Sequence, residues 1–179
     1  MSIVVVFESM FGNTRQVALS IAEGLAPYAP AVVLNVNESG ARAAAEGADL
    51  LIVGGPTHVH GMSRPKSREG ARDWEKDAAK NVTLEPLAPG IGVREWMGTL
   101  EKIPALCAAF DTRVNMARIV SGAASGPIER ALVKHGSRNV LPAASFVLAK
   151  DGGLEEGELA RARAWGASVG EAAGLVARD

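Results

Sequence analysis

The sequence is poor in cysteine and in aromatic residues. Cys107 is the only cysteine among 179 residues, so an internal disulfide is impossible, and a reducing compartment is the simpler expectation. Because aromatic residues make up only 4% of the chain, the core must be built mainly from Val, Leu, Ile and Ala. Cys107 itself lies in a predicted strand, which favours a buried structural thiol over a reactive one.

The sequence also lacks an excess of either charge and any long hydrophobic run. A formal net charge of -1 gives no reason to expect binding to nucleic acid or to an acidic membrane surface. No apolar stretch is long enough to cross a bilayer. Residues 1–9 (MSIVVVFES) have neither a basic segment nor a cleavage site, so they predict a first strand rather than a signal peptide. We therefore expect a cytoplasmic protein.

Short apolar runs alternate with segments of helical periodicity along the chain. Such alternation predicts an α/β fold, a doubly wound parallel sheet with helices on both faces. Five predicted strands favour the strand order 2-1-3-4-5 within a single domain covering 1–179. The predicted strands cover 3–7, 31–36, 50–53, 105–110 and 146–149. The predicted helices cover 17–25, a short segment capped by Ser39 and ending at Gly47, 93–103, 128–136 and 159–176.

Residues 62–92 interrupt this alternation. The segment carries many charges and three prolines, which predicts a long, partly mobile excursion with a helix around Glu69 to Lys80. Two interpretations of its cations are open, a solvated surface or a flap that grips an anionic partner or the 2′-phosphate of NADPH. The cations concerned are Arg64, Lys66, Arg68 and Arg72.

The segment after the first strand has the composition of an anion-binding turn. Ser9, Gly12 and Asn13 directly precede a predicted helix, whose first turn offers free N–H groups and a partial positive charge. Together with Thr14 they suit a terminal phosphate monoester. Neither a Walker loop nor a dinucleotide fingerprint is present. The alternative is that Ser9 and Asn13 only cap the helix.

Three loops in order resemble those of flavodoxins and flavodoxin-like domains, which bind FMN. SMFGNT at 9–14 resembles the phosphate loop, GGPTHVHG at 54–61 is similar to the second flavin loop, and FDT at 110–112 lies where the third loop begins. Residues 146–159 resemble the last strand and helix of that family. The resemblance implies an FMN site formed by Ser9, Met10, Phe11, Gly12, Asn13, Thr14, Pro56, Thr57, His58, Val59, His60, Gly61, Asp111, Thr112, Arg113 and Gly122.

The chain departs from the family pattern at several points. Phe11 stands where flavodoxins usually have threonine. Flavodoxins usually place the flavin ring between a tryptophan and a tyrosine, whereas the second loop here has His58 and His60, and residues 111–124 contain no aromatic residue. Each missing aromatic contact removes about 1 kcal/mol of binding. Because flavodoxins are typically acidic, the charge of -1 also weakens the case for an electron carrier steered to basic partners.

Individual residues leave further alternatives open. His58 and His60 have no carboxylate or cysteine at ligand spacing, so no metal site is predicted. One imidazole is expected to lie in a polar loop or to hydrogen-bond the flavin and make its potential depend on pH. Asp111 either caps the loop after its strand or contacts the cofactor. Trp96 and Trp165 are expected in the core.

Three functions follow from these features. The first is an FMN-binding protein in electron transfer or small-molecule redox chemistry, with a redox partner protein. The second is an NAD(P)H-dependent quinone or flavin reductase on the same scaffold. The third is a domain that has lost FMN and binds another phosphate ligand or a protein. The sequence leaves open whether the protein is an enzyme.

Overall fold

A computed structural model describes residues 1–78 and 80–178. The strands are β1 (Ile3–Phe7), β2 (Ala31–Asn35), β3 (Leu50–His58), β4 (Gly61–Met62), β5 (Leu106–Val114), β6 (Arg138–Asn139) and β7 (Ala144–Leu148). The helices are α1 (Asn13–Leu25), α2 (Ala41–Glu46), α3 (Pro65–Lys76), α4 (Val93–Met97), α5 (Arg118–Ser121), α6 (Ser125–Lys134) and α7 (Glu158–Ala172).

The sheet is parallel along its long strands. β1 pairs with β2 on one side and with β3 on the other, β3 pairs with β5, and β7 pairs with the second half of β5. This order confirms the predicted doubly wound arrangement. The sheet nevertheless has seven strands rather than five, because two short strands are added. β4 is antiparallel to β3, and β6 pairs with the start of β5. Pro142 lies between β6 and β7 and has no N–H for the ladder.

Helices cover both faces of the sheet. Alternate residues of β1 point to opposite sides, so Ile3 and Val5 pack with α1 and α7 while Val4 and Val6 pack with α2, α4 and α6. The central strands β1, β3 and β5 are thus buried on both faces over most of their length, as expected for a parallel sheet. Buried in the second layer are Trp96 and Cys107, and Trp165 packs against the first.

Several element boundaries differ from prediction. Ser39 does not cap α2, because the N-cap residue is Gly40 and no side chain caps the helix. α3 begins at Pro65, where proline suits the first helical position. It ends at Lys76, and position 79 of the predicted helix lies outside the described residues. α4 ends at Met97. β5 extends to Val114, four residues beyond the prediction, because β7 pairs with that extension up to Leu148.

Polar contacts attach the segment 62–92 to the rest of the chain. The Asn37 side chain accepts a hydrogen bond from the Ile91 N–H at 2.8 Å and donates one to the Ile91 carbonyl at 3.1 Å. The Glu85 N–H donates to the Met10 carbonyl at 2.8 Å. These contacts place α3 beside the turn that connects β1 to α1.

Glycines allow α1 and α7 to pack at backbone contact. A Cβ on Gly166 would lie 2.3 Å from the Ile21 carbonyl oxygen, and one on Gly24 would lie 2.0 Å from the Arg163 carbonyl oxygen. Real Cβ atoms do not approach backbone this closely, so a larger residue must push the helices apart. The close contact lets α7 cover the same face of the sheet as α1.

We expect Gly166→Ala to lower the free energy of unfolding by about 1–3 kcal/mol, because the new methyl group overpacks the α1–α7 contact. Gly70→Ala is the matched control, since Gly70 lies inside α3 with open space where a Cβ would stand. That change should stabilise the protein by up to about 1 kcal/mol through helix propensity. Urea unfolding of both variants tests this, and equal effects would contradict the proposed backbone contact.

Candidate functional site

A cavity of about 360 Å³ lies at the carboxyl ends of β1, β3 and β5. This is the edge where the strand order reverses, and doubly wound sheets bind ligands there. Three loops contribute most of the lining: loop 1 (residues 8–14), loop 2 (residues 56–61) and loop 3 (residues 111–124). The lining residues are Ser9, Met10, Phe11, Asn13, Thr14, Pro56, Thr57, His58, Val59, Ser67, Gly70, Ala71, Trp74, Thr112, Arg113, Val114 and Leu148.

Loop 1 turns sharply into α1. Gly12 is the N-cap residue with φ 93°, a left-handed conformation that favours glycine. Its N–H donates to Ser9 Oγ at 3.1 Å, and Asn13 Nδ2 donates to the Gly152 carbonyl at 2.7 Å. No side chain caps α1, so Ser9 and Asn13 fix the loop instead. The first-turn N–H groups of α1 therefore lack a side-chain cap, which leaves an anion-binding end beside the cavity.

Hydroxyl groups join the three loops. Thr14 Oγ1 and Thr112 Oγ1 are 2.8 Å apart and buried, which connects the start of α1 to the end of β5. Thr57 Oγ1 donates to Asp111 Oδ2 at 3.2 Å and accepts from the Ala124 N–H at 2.9 Å. Loops 1, 2 and 3 are thus held together by direct hydrogen bonds.

Asp111 lies beneath the cavity and does not line it. Its carboxylate is fully buried and accepts a hydrogen bond from the Ser125 N–H at 2.8 Å, at the first residue of α6. A carboxylate at this position stabilises the helix start. In the structure the Asp111 carboxylate thus binds the start of α6 and the Thr57 hydroxyl.

Loop 2 forms a tight turn between β3 and β4. Val59 and His60 have φ values of 45° and 72°, and a left-handed conformation is unusual for a β-branched residue. A parallel bridge joins His60 to Gly122, where a Cβ on Gly122 would lie 2.2 Å from the His60 Cα. Loop 3 thus supports the strained turn, while His60, Gly61 and Gly122 lie outside the lining itself.

His58 is the histidine that lines the cavity. Burial and the nearby charge of Arg68 lower the pKa of its imidazole, partly opposed by a hydrogen bond with the Ser67 backbone. Since an ordinary histidine already titrates below pH 7, His58 is neutral at pH 7. The side chain therefore offers the cavity a neutral donor or acceptor rather than a cation.

One wall of the cavity comes from α3, which the sequence did not assign to the site. Ser67, Gly70, Ala71 and Trp74 all line it. Their spacing of i, i+3, i+4 and i+7 places them on one helix face. That spacing was the available signal, but the charged composition of 62–92 concealed it. Trp74 lies parallel to Phe11 of loop 1, with ring centroids 6.1 Å apart and an interplanar angle of 5°.

Arg68 is a structural cation, so both the solvated-surface and the flap interpretation are wrong for this residue. Its side chain is 4% exposed and donates to Ser63 Oγ and to the Gly90 carbonyl at 2.9 and 3.0 Å. It also pairs with Glu95 at 3.1 Å. Arg68 is therefore committed to internal contacts and is not available to an anionic partner. The other three cations of that group, Arg64, Lys66 and Arg72, are exposed.

Glu8 extends this buried polar cluster to loop 1 and was also missed from sequence. It is 1% exposed, and its Oε2 accepts from the Val93 N–H at 2.9 Å. Within the described residues its Oε1 has no hydrogen-bond partner. Burial raises the pKa of the Glu8 carboxyl, although Ser63, Val93 and Arg68 oppose the shift. A buried acid therefore lies directly next to Ser9.

The raised pKa of Glu8 makes a pH-dependent prediction. Because the folded state binds the Glu8 proton more tightly than the unfolded state, this contribution to stability is full below pH 4.5, the ordinary value, and is lost as pH rises through the folded-state pKa. Glutamine cannot titrate, so the Glu8→Gln variant should not lose stability in this way. The unfolding free energy of the variant minus that of wild type should therefore rise from pH 4 to pH 7. Urea unfolding at several pH values measures this difference.

Glu8→Ala is the companion variant. It leaves the Val93 N–H without its acceptor, and we expect a loss of about 1–3 kcal/mol at pH 7. If Glu8→Gln shows the same pH dependence as wild type, the assigned titration of Glu8 is wrong.

Residues 1–78 and 80–178 contain neither a cluster of metal ligands nor a membrane-spanning helix. No group of three or more His, Cys, Asp or Glu side chains there is arranged to hold a metal ion. No helix in the same ranges has both the length and the apolar character needed to cross a membrane.

Comparison with known proteins assigns the fold. No protein-family model and no curated protein matches the sequence. Among solved structures, Flavodoxin 1 from Bacillus cereus is similar with a TM-score of 0.66 and 19% identity, covering 96% of this chain and 98% of that one. A flavodoxin from the domain Archaea has a TM-score of 0.64 and 15% identity, covering 97% and 99%.

A third neighbour is a flavodoxin, WrbA-like protein from Agrobacterium tumefaciens. It has a TM-score of 0.57 and 18% identity, and the match covers 96% of each chain. At these identities, the similarity shows the fold alone. The chain has a flavodoxin-like fold.

Proposed function

We propose that this flavodoxin-like chain binds FMN in the cavity and acts in electron transfer or small-molecule redox chemistry. The observation that carries the proposal is the cavity itself, which loops 1, 2 and 3 line at the switch point of the sheet. These are the same three loops that resemble the flavin loops of flavodoxins.

The residues of loop 1 fit the phosphate of FMN. Gly12 adopts a left-handed conformation, so the backbone can bend around an anion, and the N-terminus of α1 supplies N–H groups and a favourable dipole. The hydroxyls of Ser9 and Thr14 lie in the same lining. Arg15, which follows this loop in α1, is already paired with Glu85 at 2.9 Å. Phosphate binding would therefore rely on amides and hydroxyls.

Loops 2 and 3 would hold the rest of the nucleotide. Pro56, His58 and Val59 form one side of the cavity, and Thr112 and Arg113 form another. The flavin supplies the electron or hydride chemistry when bound, and the protein orients it and sets its surroundings. A neutral His58 adds a hydrogen-bonding group without adding charge. Exclusion of water by the loop contacts would strengthen each of these interactions.

The affinity for FMN relative to riboflavin tests the phosphate assignment. We expect the absorption spectrum of added FMN to shift on binding, and FMN to bind about 10- to 100-fold more tightly than riboflavin, because charge-assisted hydrogen bonds contribute about 1.5–3 kcal/mol. Gly12→Ala should reduce this ratio, since alanine is strained at φ 93°.

Gly40→Ala is the matched control for Gly12→Ala. Gly40 is also an N-cap glycine with φ 93°, and a Cβ there meets nothing within 4 Å. It caps α2, which lies away from the cavity lining. The control should keep the wild-type ratio of FMN to riboflavin affinity. A chain that binds neither flavin would contradict the proposal and favour another phosphate ligand or a protein partner.

An NAD(P)H-dependent quinone or flavin reductase is the second candidate. Val59, in the lining, is 86% exposed, and Ile119 on α5, near the His60–Gly122 bridge, is 91% exposed. An exposed apolar rim suits a second planar molecule entering the cavity.

Steady-state kinetics separate the two redox roles. The electron-transfer role predicts that the FMN-loaded protein oxidises NADPH with a quinone no faster than the same concentration of free FMN does. Turnover well above that level, without a partner protein, would assign the reductase instead. Among the described residues of the lining, Arg113 is the one cation. Its Nη1 already donates to the Met116 carbonyl at 2.6 Å, so it is a poor partner for a nicotinamide phosphate.

A further inference from the structure

We infer that Trp74, on α3, is a binding residue that contacts the planar ring of the flavin and replaces the aromatic contact missing from loops 2 and 3. This inference rests on the proposed function. Trp74 lies in the segment 62–92, outside the three loops that the sequence assigns to the cofactor. It would determine the preference of the site for a planar aromatic ligand.

The position of Trp74 carries the argument. It lines the cavity, yet 53% of its surface is exposed, so a large aromatic face is only partly covered by protein. Phe11 lies parallel to it at 6.1 Å, within the range of stacked aromatic pairs. Lys80 Nζ lies 5.1 Å from the Trp74 ring. Phe11 and Lys80 therefore orient the side chain, and about half of its surface remains exposed.

Loops 2 and 3 cannot provide an equivalent contact. Among the described residues, the aromatic side chains in the lining are Phe11, Trp74 and the imidazole of His58. Loop 3 contributes Thr112, Arg113 and Val114. A planar ring in this cavity would have its largest favourable contact area with the indole, because aromatic pairs add about 0.5–1.5 kcal/mol beyond area burial.

The backbone around Trp74 is fixed to the rest of the site. Arg68 anchors the first half of α3 through Ser63 and Gly90. Beyond the helix, the Glu85 N–H binds the Met10 carbonyl at 2.8 Å, and the Glu85 carboxylate pairs with Arg15 at 2.9 Å. These contacts hold the segment that carries Trp74 against loop 1. A preorganised wall of this kind costs little ordering on binding.

The test compares the dissociation constants of FMN and riboflavin for wild type, Trp74→Ala, Trp74→Phe and Arg72→Ala. Arg72 is an exposed residue of α3 that does not line the cavity, so its variant is the matched control. We expect Trp74→Ala to weaken both flavins by the same factor, about 3- to 10-fold. Trp74→Phe should recover part of the loss, and Arg72→Ala should bind as wild type does.

Each alternative result has a distinct meaning. If Trp74→Ala weakens FMN but not riboflavin, the indole acts only through Phe11 and the phosphate loop, and the ring contact is wrong. Wild-type affinity for both flavins in Trp74→Ala also overturns the inference, and does so while the proposed function stands. A wild-type chain that binds neither flavin overturns both. Thermal unfolding of the ligand-free variants checks the fold, and because Trp74 is half exposed, Trp74→Ala should unfold close to the wild-type temperature.

Discussion

Parallel pairing of β1 with both β2 and β3 is the constraint on which the site depends. In register, Phe7 pairs with Asn35 on one side and with Gly54 on the other, so the chain leaves β1 and β3 at the same edge of the sheet. The crossovers diverge at this point, and a crevice opens between them. Loops 1 and 2 place glycine, hydroxyl and amide groups at this crevice. The close packing of α7 on the C-terminal half of α1, at Ile21 and Gly24, holds α1 against the sheet.

The cavity combines a polar end with an aromatic and aliphatic wall. Loop 1 supplies amides and hydroxyls, and its Phe11 ring stacks parallel to Trp74 of α3. Beneath the loops, Asp111 and the cluster of Glu8, Arg68 and Glu95 hold the backbone from inside. Within this cluster Arg68 is paired with Glu95, as a buried charge requires.

The strained turn at Val59 and His60 shows how tertiary contacts overrule local preference. A two-residue turn with positive φ at both positions usually takes asparagine and glycine. Valine and histidine adopt it here because β4 pairs with β3 and Gly122 bridges to His60. Strain at a cavity edge is commonly associated with function. The turn exposes Val59 at the rim of the cavity.

The sequence by itself determined the alternation of strands and helices, the doubly wound order and most of the cavity-lining residues of the three loops, because hydrophobic periodicity and turn composition are local properties. Only the tertiary structure placed α3 against loop 1, buried Arg68 away from solvent, and brought Glu8 beneath the site. It also placed two strands, β6 and β7, beside β5, where the sequence predicts one. Each of these features depends on contacts between residues far apart in the chain, such as Asn37 with Ile91 and Glu85 with Met10. Charged composition alone cannot distinguish a solvated helix from one that forms a wall of a cavity.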